Sequence, residues 1–204
     1  MPTSNRAVAF VLASGSAGRL RVLRDAGFDP EVVVSGVDET ADAMAPAELV
    51  LLLAERKAVA VAIIRPDALV AGCDSLLDLD GTALGKPESA AEALEMWRRL
   101  AGREATLLTG HCLIDGASGR RVRGVASTTV RFGRPDEAEL AAYVASGEPL
   151  ALAGAFSIEG RGAPFVDGID GDPSNVIGLS LPLLRKMLAE LRMSVTDLWR
   201  PPSS

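Results

Sequence analysis

Asp74 and Lys86 bracket the stretch in which chemistry is most readily read, VAGCDSLLDLDGTALGKP at residues 70–87. The apolar run at 68–70 reads as a buried strand that delivers Cys73, Asp74 and Ser75 to its end. Residues 76–79 continue as strand, and Asp80-Gly81 has the composition of a tight turn. The chain then returns through Leu84 to Gly85-Lys86-Pro87. One carboxylate and one ammonium are therefore expected at the same mouth of a sheet. A carboxylate that can hold a metal or take a proton, beside a cation that can hold phosphate, is the pair that phosphoryl chemistry requires. A plain hairpin carrying a surface Asp and Lys has the same composition, and the stretch by itself leaves both readings open.

Three further stretches offer partners for that pair. Residues 7–13 read as an apolar strand running into Ser14-Gly15-Ser16-Ala17-Gly18-Arg19, with a helix over 20–26 stopped by Gly27. A strand, a Gly/Ser loop and a helix N-terminus form an anion site from free backbone N–H groups and the positive end of the helix dipole. Ser14 and Ser16 add hydroxyls, and Arg19 adds a forked donor that suits phosphate. The alternative is that Ser16 is only a helix N-cap. The loop Ser35-Gly36-Val37-Asp38-Glu39, after a strand over 31–34, is either solvated or folds over the serine loop and supplies a metal-binding carboxylate. Lys57 lies in a helix predicted over 47–64 with apolar residues at Leu49, Leu52, Leu53, Val59 and Ile63. It either points along the sheet to the same mouth or is an ordinary exposed helix lysine.

Composition restricts what these residues can belong to. The chain has 204 residues, 48% hydrophobic and 24% charged, which suits one large α/β domain or two closely packed lobes. We treat 1–204 as a single domain, with 199–204 expected to be a frayed tail. No apolar run approaches the roughly 20 residues of a membrane span, and MPTSNRAVAF lacks a signal peptide's apolar region. The net charge of −6 argues against binding a nucleic-acid polymer, so an anionic ligand needs a locally basic pocket. Cys73 and Cys112 lack metal-ligand spacing and read as reduced and buried, which points to the cytoplasm. The single histidine, His111, excludes a multi-His metal site and is read as a strand residue without catalytic duty. Catalysis by carboxylate, metal and lysine or arginine is what remains.

The other elements frame the site. A helix over 89–100 is capped by Ser89 with Glu92 three residues on. Residues 104–114 and 120–132 read as a long antiparallel hairpin, and 136–145 as a short amphipathic helix. A glycine-rich run, AGAFSIEGRG at 153–162, suits close backbone approach to a flat ligand. A strand over 165–169, a turn over 170–175 and a closing helix over 181–191 follow.

Taken together, LASGSAGR, SGVDE, AERKA, GCDSLLDLDGTALGKP, YVASGEP and AGAFSIEGRGAPFVDGIDGDPSNVIGLSLP occur in one order over nearly the whole chain. In that order they resemble the Maf-type nucleotide pyrophosphatases, "house-cleaning" enzymes also linked to septum formation. The resemblance implies an α/β, inosine-triphosphatase-like fold of two lobes, with an elongated mixed sheet flanked by helices around a central cleft. It also implies a divalent-metal-dependent hydrolase, using Mg2+ or Mn2+. Such an enzyme converts nucleoside triphosphates, modified ones among them, to monophosphate and pyrophosphate. A homodimer is expected on the same ground. Residue by residue, Asp74 matches the family's essential aspartate, the proton acceptor that activates water. Ser14, Ser16, Arg19, Lys57 and Lys86 match its polar and basic site positions, and Glu39 an acid that helps bind metal beside Asp74.

The departures fall at specificity positions. Where the family's pyrimidine-triphosphate branch has an arginine, this chain has Gly18. Ser75 replaces a threonine, Glu159 a glutamine, and Ala105 a frequent histidine. An ionised glutamate only accepts hydrogen bonds, which suits the N–H groups of guanine better than uracil or thymine and favours a broad or purine-tolerant range. Alternatively, Glu159 holds the glycine-rich loop or a neighbouring cation. Two other functions compete with hydrolysis. A nucleotide-sensing or septum-related binding protein has less need of Asp74 with Lys57 and Lys86. A kinase-like phosphate enzyme lacks its P-loop or kinase motifs here.

Overall fold

The structure is a computed structural model that describes residues 8–200. Its elements run β1 (Phe10–Leu12), α1 (Ala17–Asp25), β2 (Glu31–Val32), α2 (Pro46–Ile64), β3 (Leu69–Leu79), β4 (Thr82–Leu84) and α3 (Ala90–Leu100). They continue through β5 (Glu104–Asp115), β6 (Arg120–Phe132), α4 (Glu137–Ala145), β7 (Val166–Asp170), α5 (Pro173–Ile177) and α6 (Leu181–Glu190). Local chemistry sets the helix starts. Ser16, Ser89, Asp136, Asp172 and Ser180 each accept a backbone N–H in the first turn that follows, and Pro46 opens α2 at a position where a missing N–H costs nothing. No helix among the described residues is long and apolar enough to cross a membrane.

The strands form one mixed sheet of seven, ordered β2-β1-β3-β5-β6-β7, with β4 also on β3. β1 is parallel to β2 and β3, and the remaining pairs are antiparallel. The spine is β3. One of its edges is paired without interruption to β5, from Leu69 opposite Asp115 to Asp78 opposite Thr106. The other edge is shared. β1 occupies it as far as Ala71, and β4 takes it up again from Leu77. Residues 72–76 between them have no strand partner on that side among the described residues, so the sheet is split there. The split lies at the carboxyl end of β1, where ligands of open α/β sheets bind.

Because side chains alternate across a strand, the two faces of the sheet are covered differently. α2 covers one, packing on Val11, Val70, Cys112 and Ile114 and, further along, Leu76 and Leu108. The other face carries two cores. One, under α1 and α6, gathers Leu12, Leu69, Ala71, Cys73 and Met187. The second, under α3 and α4, gathers Leu77, Leu107, Val130 and Phe132 around Trp97. Trp97 meets Phe132, Tyr143 and Phe165 edge-on at 5.6–5.8 Å and donates its indole N–H to the Ala155 carbonyl at 2.7 Å. Along that face the change from one core to the other falls at the split, with Cys73 in the first and Leu77 in the second.

Several boundaries differ from expectation. β2 stops at Val32, and beyond it only the Val33 N–H, donating to Leu12, continues the pairing. The turn expected over 170–175 contains a helix, α5, capped by Asp172 and ended by Gly178 at φ 115. Trp199, expected in a frayed tail, bridges to Phe28, and the Arg200 N–H donates to the Gly27 carbonyl at 2.8 Å. The rest of that tail and the first residues of the 7–13 strand lie outside the described residues. Cys73 and Cys112 are buried free thiols on opposite faces of the sheet, each in a different core.

Candidate active site

Asp74 and Ser75 lie in the split and, by alternation, face opposite sides of the sheet. On Asp74's side, α2 comes unusually close. A Cβ on Gly72 would stand 2.3 Å from the Ala54 carbonyl oxygen, and one on Gly110, opposite Asp74 on β5, would stand 2.2 Å from that of Val50. Two glycines on neighbouring strands thus form a saddle in which the helix sits, one turn after another. This brings Lys57, only 8% exposed, over the carboxylate: its Nζ is 2.5 Å from Asp74 Oδ1 and 2.7 Å from Glu39 Oε1. The loop carrying Glu39 therefore folds in toward the sheet. It is steadied by Arg56, which donates to the carbonyls of Asp38 and Thr40, and by Asp38, which accepts from Thr40. Those Thr40 hydrogen bonds hold the Asp38 carboxyl below its ordinary value.

The cation beside Asp74 is thus Lys57, where the sequence pointed to Lys86. Lys86 follows β4 by two residues and is exposed. It has no ion pair among the described residues. The β3–β4 register, with Leu84 opposite Leu77, would bring Lys86 level with Ser75 if carried on. That register places residue 86 beside the split.

On Ser75's side the chief group is Arg19, 8% exposed at the start of α1. Its Nε donates to the Gly178 carbonyl at 2.8 Å, Nη1 to Ser14 Oγ at 2.9 Å and Nη2 to Ser75 Oγ at 3.0 Å. Ser14 Oγ also accepts the Ser16 N–H at 3.2 Å, and Ser16 caps the helix through the Arg19 N–H at 3.4 Å. Ser16 is therefore an N-cap, while Ser14 and Arg19 build the loop. Gly18 packs against the end of α5: a Cβ there would stand 3.2 Å from Ile177. One helical turn on, Arg21 is ion-paired to Glu159, so the acid expected to read a base holds a neighbouring cation. The loop bearing Glu159 is itself pinned by Glu148, which accepts the N–H groups of Arg161 and Gly162 at 3.0 Å each.

Sequence reasoning missed Thr109, Asn175, Arg21 and Glu148. Thr109 sits opposite Ser75 in the register and bonds to it at 2.9 Å. The only signal for it was a threonine within an otherwise largely apolar stretch of strand.

His111 has a structural role. It is 2% exposed, its Nε2 accepts the Ser180 N–H at 2.9 Å, and its Nδ1 is 3.0 Å from the Thr109 carbonyl, which fixes the proton on Nδ1. Burial pushes its pKa down to about 4. The unfolded chain therefore takes up a proton near pH 6.5 that the folded chain refuses until about pH 4, so stability falls as pH drops through that window. The gap corresponds to on the order of 3 kcal/mol. Urea unfolding at pH 7.5, 5.5 and 4.5 is expected to show this loss in the wild type, with a visibly shallower pH dependence in His111→Gln. Parallel curves would place the acid sensitivity elsewhere. Burial likewise pushes the Cys73 thiol up to about 11 and that of Cys112 up to about 12, so neither supplies a thiolate near neutral pH.

Among the described residues no group of three or more His, Cys, Asp or Glu gathers as a metal cage. Asp74 and Glu39 each give one oxygen to Lys57, and the other has no partner among the described residues. A pair of carboxylate oxygens at a phosphate site is the donor set Mg2+ takes when the substrate supplies further ligands, so these residues fit a divalent ion shared with a substrate.

The protein is of the mixed α/β class, with a carboxylate–lysine–arginine cluster set in a split sheet. The chain belongs to the Maf-like protein family, whose pattern matches residues 9–191. A protein of Streptomyces coelicolor (strain ATCC BAA-471 / A3(2) / M145) named "Nucleoside triphosphate pyrophosphatase" is 63% identical over 195 residues, covering 94% of each chain. One of the same name from Mycobacterium sp. (strain JLS) is 55% identical over 203 residues, covering 93% of this chain and 97% of that protein. Among solved structures, the Staphylococcus aureus Ham1 protein aligns over 61% of this chain and 72% of its own. It does so at 17% identity and a TM-score of 0.40, too distant to bear on the fold.

Proposed function

We propose that this protein is a nucleoside triphosphate pyrophosphatase that hydrolyses the α–β phosphoanhydride, releasing a nucleoside monophosphate and pyrophosphate. The observation that carries the reading is Asp74, held by Lys57 at 2.5 Å in the split of the sheet, in a family whose relatives at this identity bear that name. Lys57 on Oδ1 fixes the carboxylate and leaves Oδ2 to take the proton of a water that attacks the α-phosphorus. The bond from that phosphorus to the bridging oxygen breaks, and pyrophosphate leaves. Arg19 and Lys86 offer N–H groups to the phosphate oxygens on which charge accumulates. Asp74 and Glu39 would hold a divalent cation, Mg2+ or Mn2+, which when bound neutralises phosphate charge. A panel of ribo- and deoxyribonucleoside triphosphates with Mg2+ or Mn2+, resolving pyrophosphate from orthophosphate, tests the reading. Pyrophosphate as product supports it; orthophosphate, or triphosphate binding without turnover, overturns it.

We further propose a broad or purine-tolerant range, argued from Glu159, which gives one carboxylate oxygen to Arg21 and has a second to offer a base. A carboxylate can only accept, and part of its capacity is taken by Arg21. We expect Glu159→Gln to raise kcat/KM for UTP or dTTP relative to GTP roughly tenfold, the worth of about one hydrogen bond. Measuring GTP, 7-methyl-GTP, UTP and dTTP on both proteins decides it. An unchanged ratio would leave Glu159 as a loop anchor alone.

A further inference from the structure

We infer that Thr109 is a positioning residue for Arg19, acting through a hydrogen-bond relay of fixed direction; the inference rests on the pyrophosphatase reading only for its kinetic test. Thr109 is fully buried on β5, and its hydroxyl donates to the Asn175 carbonyl at 3.3 Å. A hydroxyl has one proton, so in the 2.9 Å contact between Ser75 and Thr109 the donor is Ser75. Ser75 in turn accepts from Arg19 Nη2 at 3.0 Å. The order is Arg19 N–H to Ser75, Ser75 O–H to Thr109, Thr109 O–H to Asn175. Each link polarises the next, and the chain runs from the half-buried Ser75 into the fully buried Thr109.

The far end of the relay is anchored. Asn175 is fully buried, and its Nδ2 donates to the Leu107 carbonyl at 3.2 Å and to Thr128 Oγ1 at 3.1 Å. Thr128 is bonded on to the backbone of Asp172, donating to its carbonyl at 3.1 Å and accepting its N–H at 3.2 Å. α5 is thus stitched to β5 and β6, and it holds Arg19 twice, once through the relay and once through the Gly178 carbonyl on Nε. Three of the five guanidinium N–H groups are committed to protein, which leaves two for a ligand in one set orientation. Two consequences follow. Ser75's proton is committed away from the split, so Ser75 acts there as an acceptor. And a residue with no exposed surface governs how the arginine meets phosphate.

The test is a double-mutant cycle of Thr109→Val with Arg19→Ala, read by kcat and KM separately. It is read again by the dissociation constant of a triphosphate with a methylene in place of the α–β bridging oxygen. Thr109→Val is expected to lower kcat/KM about tenfold in the wild type, to have little effect once Arg19 is gone, and to be rescued by Thr109→Ser. Ser75→Ala, which cuts the same relay from the other side, gives the cycle a second entry should Thr109→Val fold poorly. Effects that add in both cycles, or a Thr109→Ser no better than valine, overturn the relay. If the wild type binds the analogue without hydrolysing any triphosphate, the function reading falls, while non-additive binding constants still support the relay.

Discussion

Asp74→Asn is expected to lower kcat by about 10²–10⁴-fold, the usual worth of a well-placed general base. The amide keeps the shape of the carboxylate, and its oxygen still accepts from Lys57, which at 2.5 Å is the contact that orients residue 74. What is lost is the charge and basicity of the second oxygen, and with them the site for the water's proton and one ligand of a shared divalent ion. Lys57 keeps Glu39 at 2.7 Å as a counter-charge, so no buried ammonium is left unpaired and the fold should hold. Steady-state pyrophosphate release with Mg2+ and with Mn2+, beside urea unfolding of both proteins, separates the two effects. A variant that turns over within a few-fold of wild type would remove Asp74 from the chemistry and transfer the role to Glu39, the other carboxylate on Lys57.

How far the site could be read in advance depended on whether a residue's role is local. Ser16, Ser89 and Asp136 cap helices within three residues of themselves, and such spacing is visible in a string of letters. The Asp80-Gly81 turn and the long β5–β6 hairpin were legible for the same reason. The partner of Asp74 was not. Lys86, twelve residues on across a hairpin, looked like its neighbour, yet Lys57 holds it from a helix seventeen residues earlier. That contact exists because Gly72 and Gly110 let α2 settle on the sheet, and nothing local to either glycine announces it. Glu39 is a similar case: the sequence left it between solvent and site, and only the folded loop decides. Arg19 was read as a free phosphate donor, whereas most of its hydrogen-bonding capacity turns inward to residues as remote as Gly178. The short α5, hidden in a Gly/Asp/Pro-rich stretch that reads as a turn, supplies that anchor. Long-range pairing of this kind is written in packing, which a one-dimensional pattern does not carry.

Gly72→Ala follows from that packing and is expected to be costly in both stability and rate. A methyl at this position would lie 2.3 Å from the Ala54 carbonyl oxygen, 2.7 Å from the Ala58 nitrogen and 2.9 Å from the Ala58 Cβ. The first two are helix backbone, which cannot swing aside as the end of a side chain can, and Gly72 lies within β3, paired to Cys112. Either α2 lifts from the sheet or the strand bends. Overpacking of this kind costs typically about 1–3 kcal/mol, and here it also acts on function. Lys57 precedes Ala58, so a helix that lifts there draws the ammonium away from Asp74 and Glu39 at once. A displacement of about 1 Å in a catalytic group can cost on the order of 10²-fold in rate. We therefore expect Gly72→Ala to fold with a lowered urea midpoint and, at temperatures where it remains folded, to show kcat depressed by about that factor. Circular dichroism and pyrophosphate release on the same preparation check both parts. A folded variant with wild-type kcat would show that the reaction does not need Lys57 held where the glycine saddle puts it.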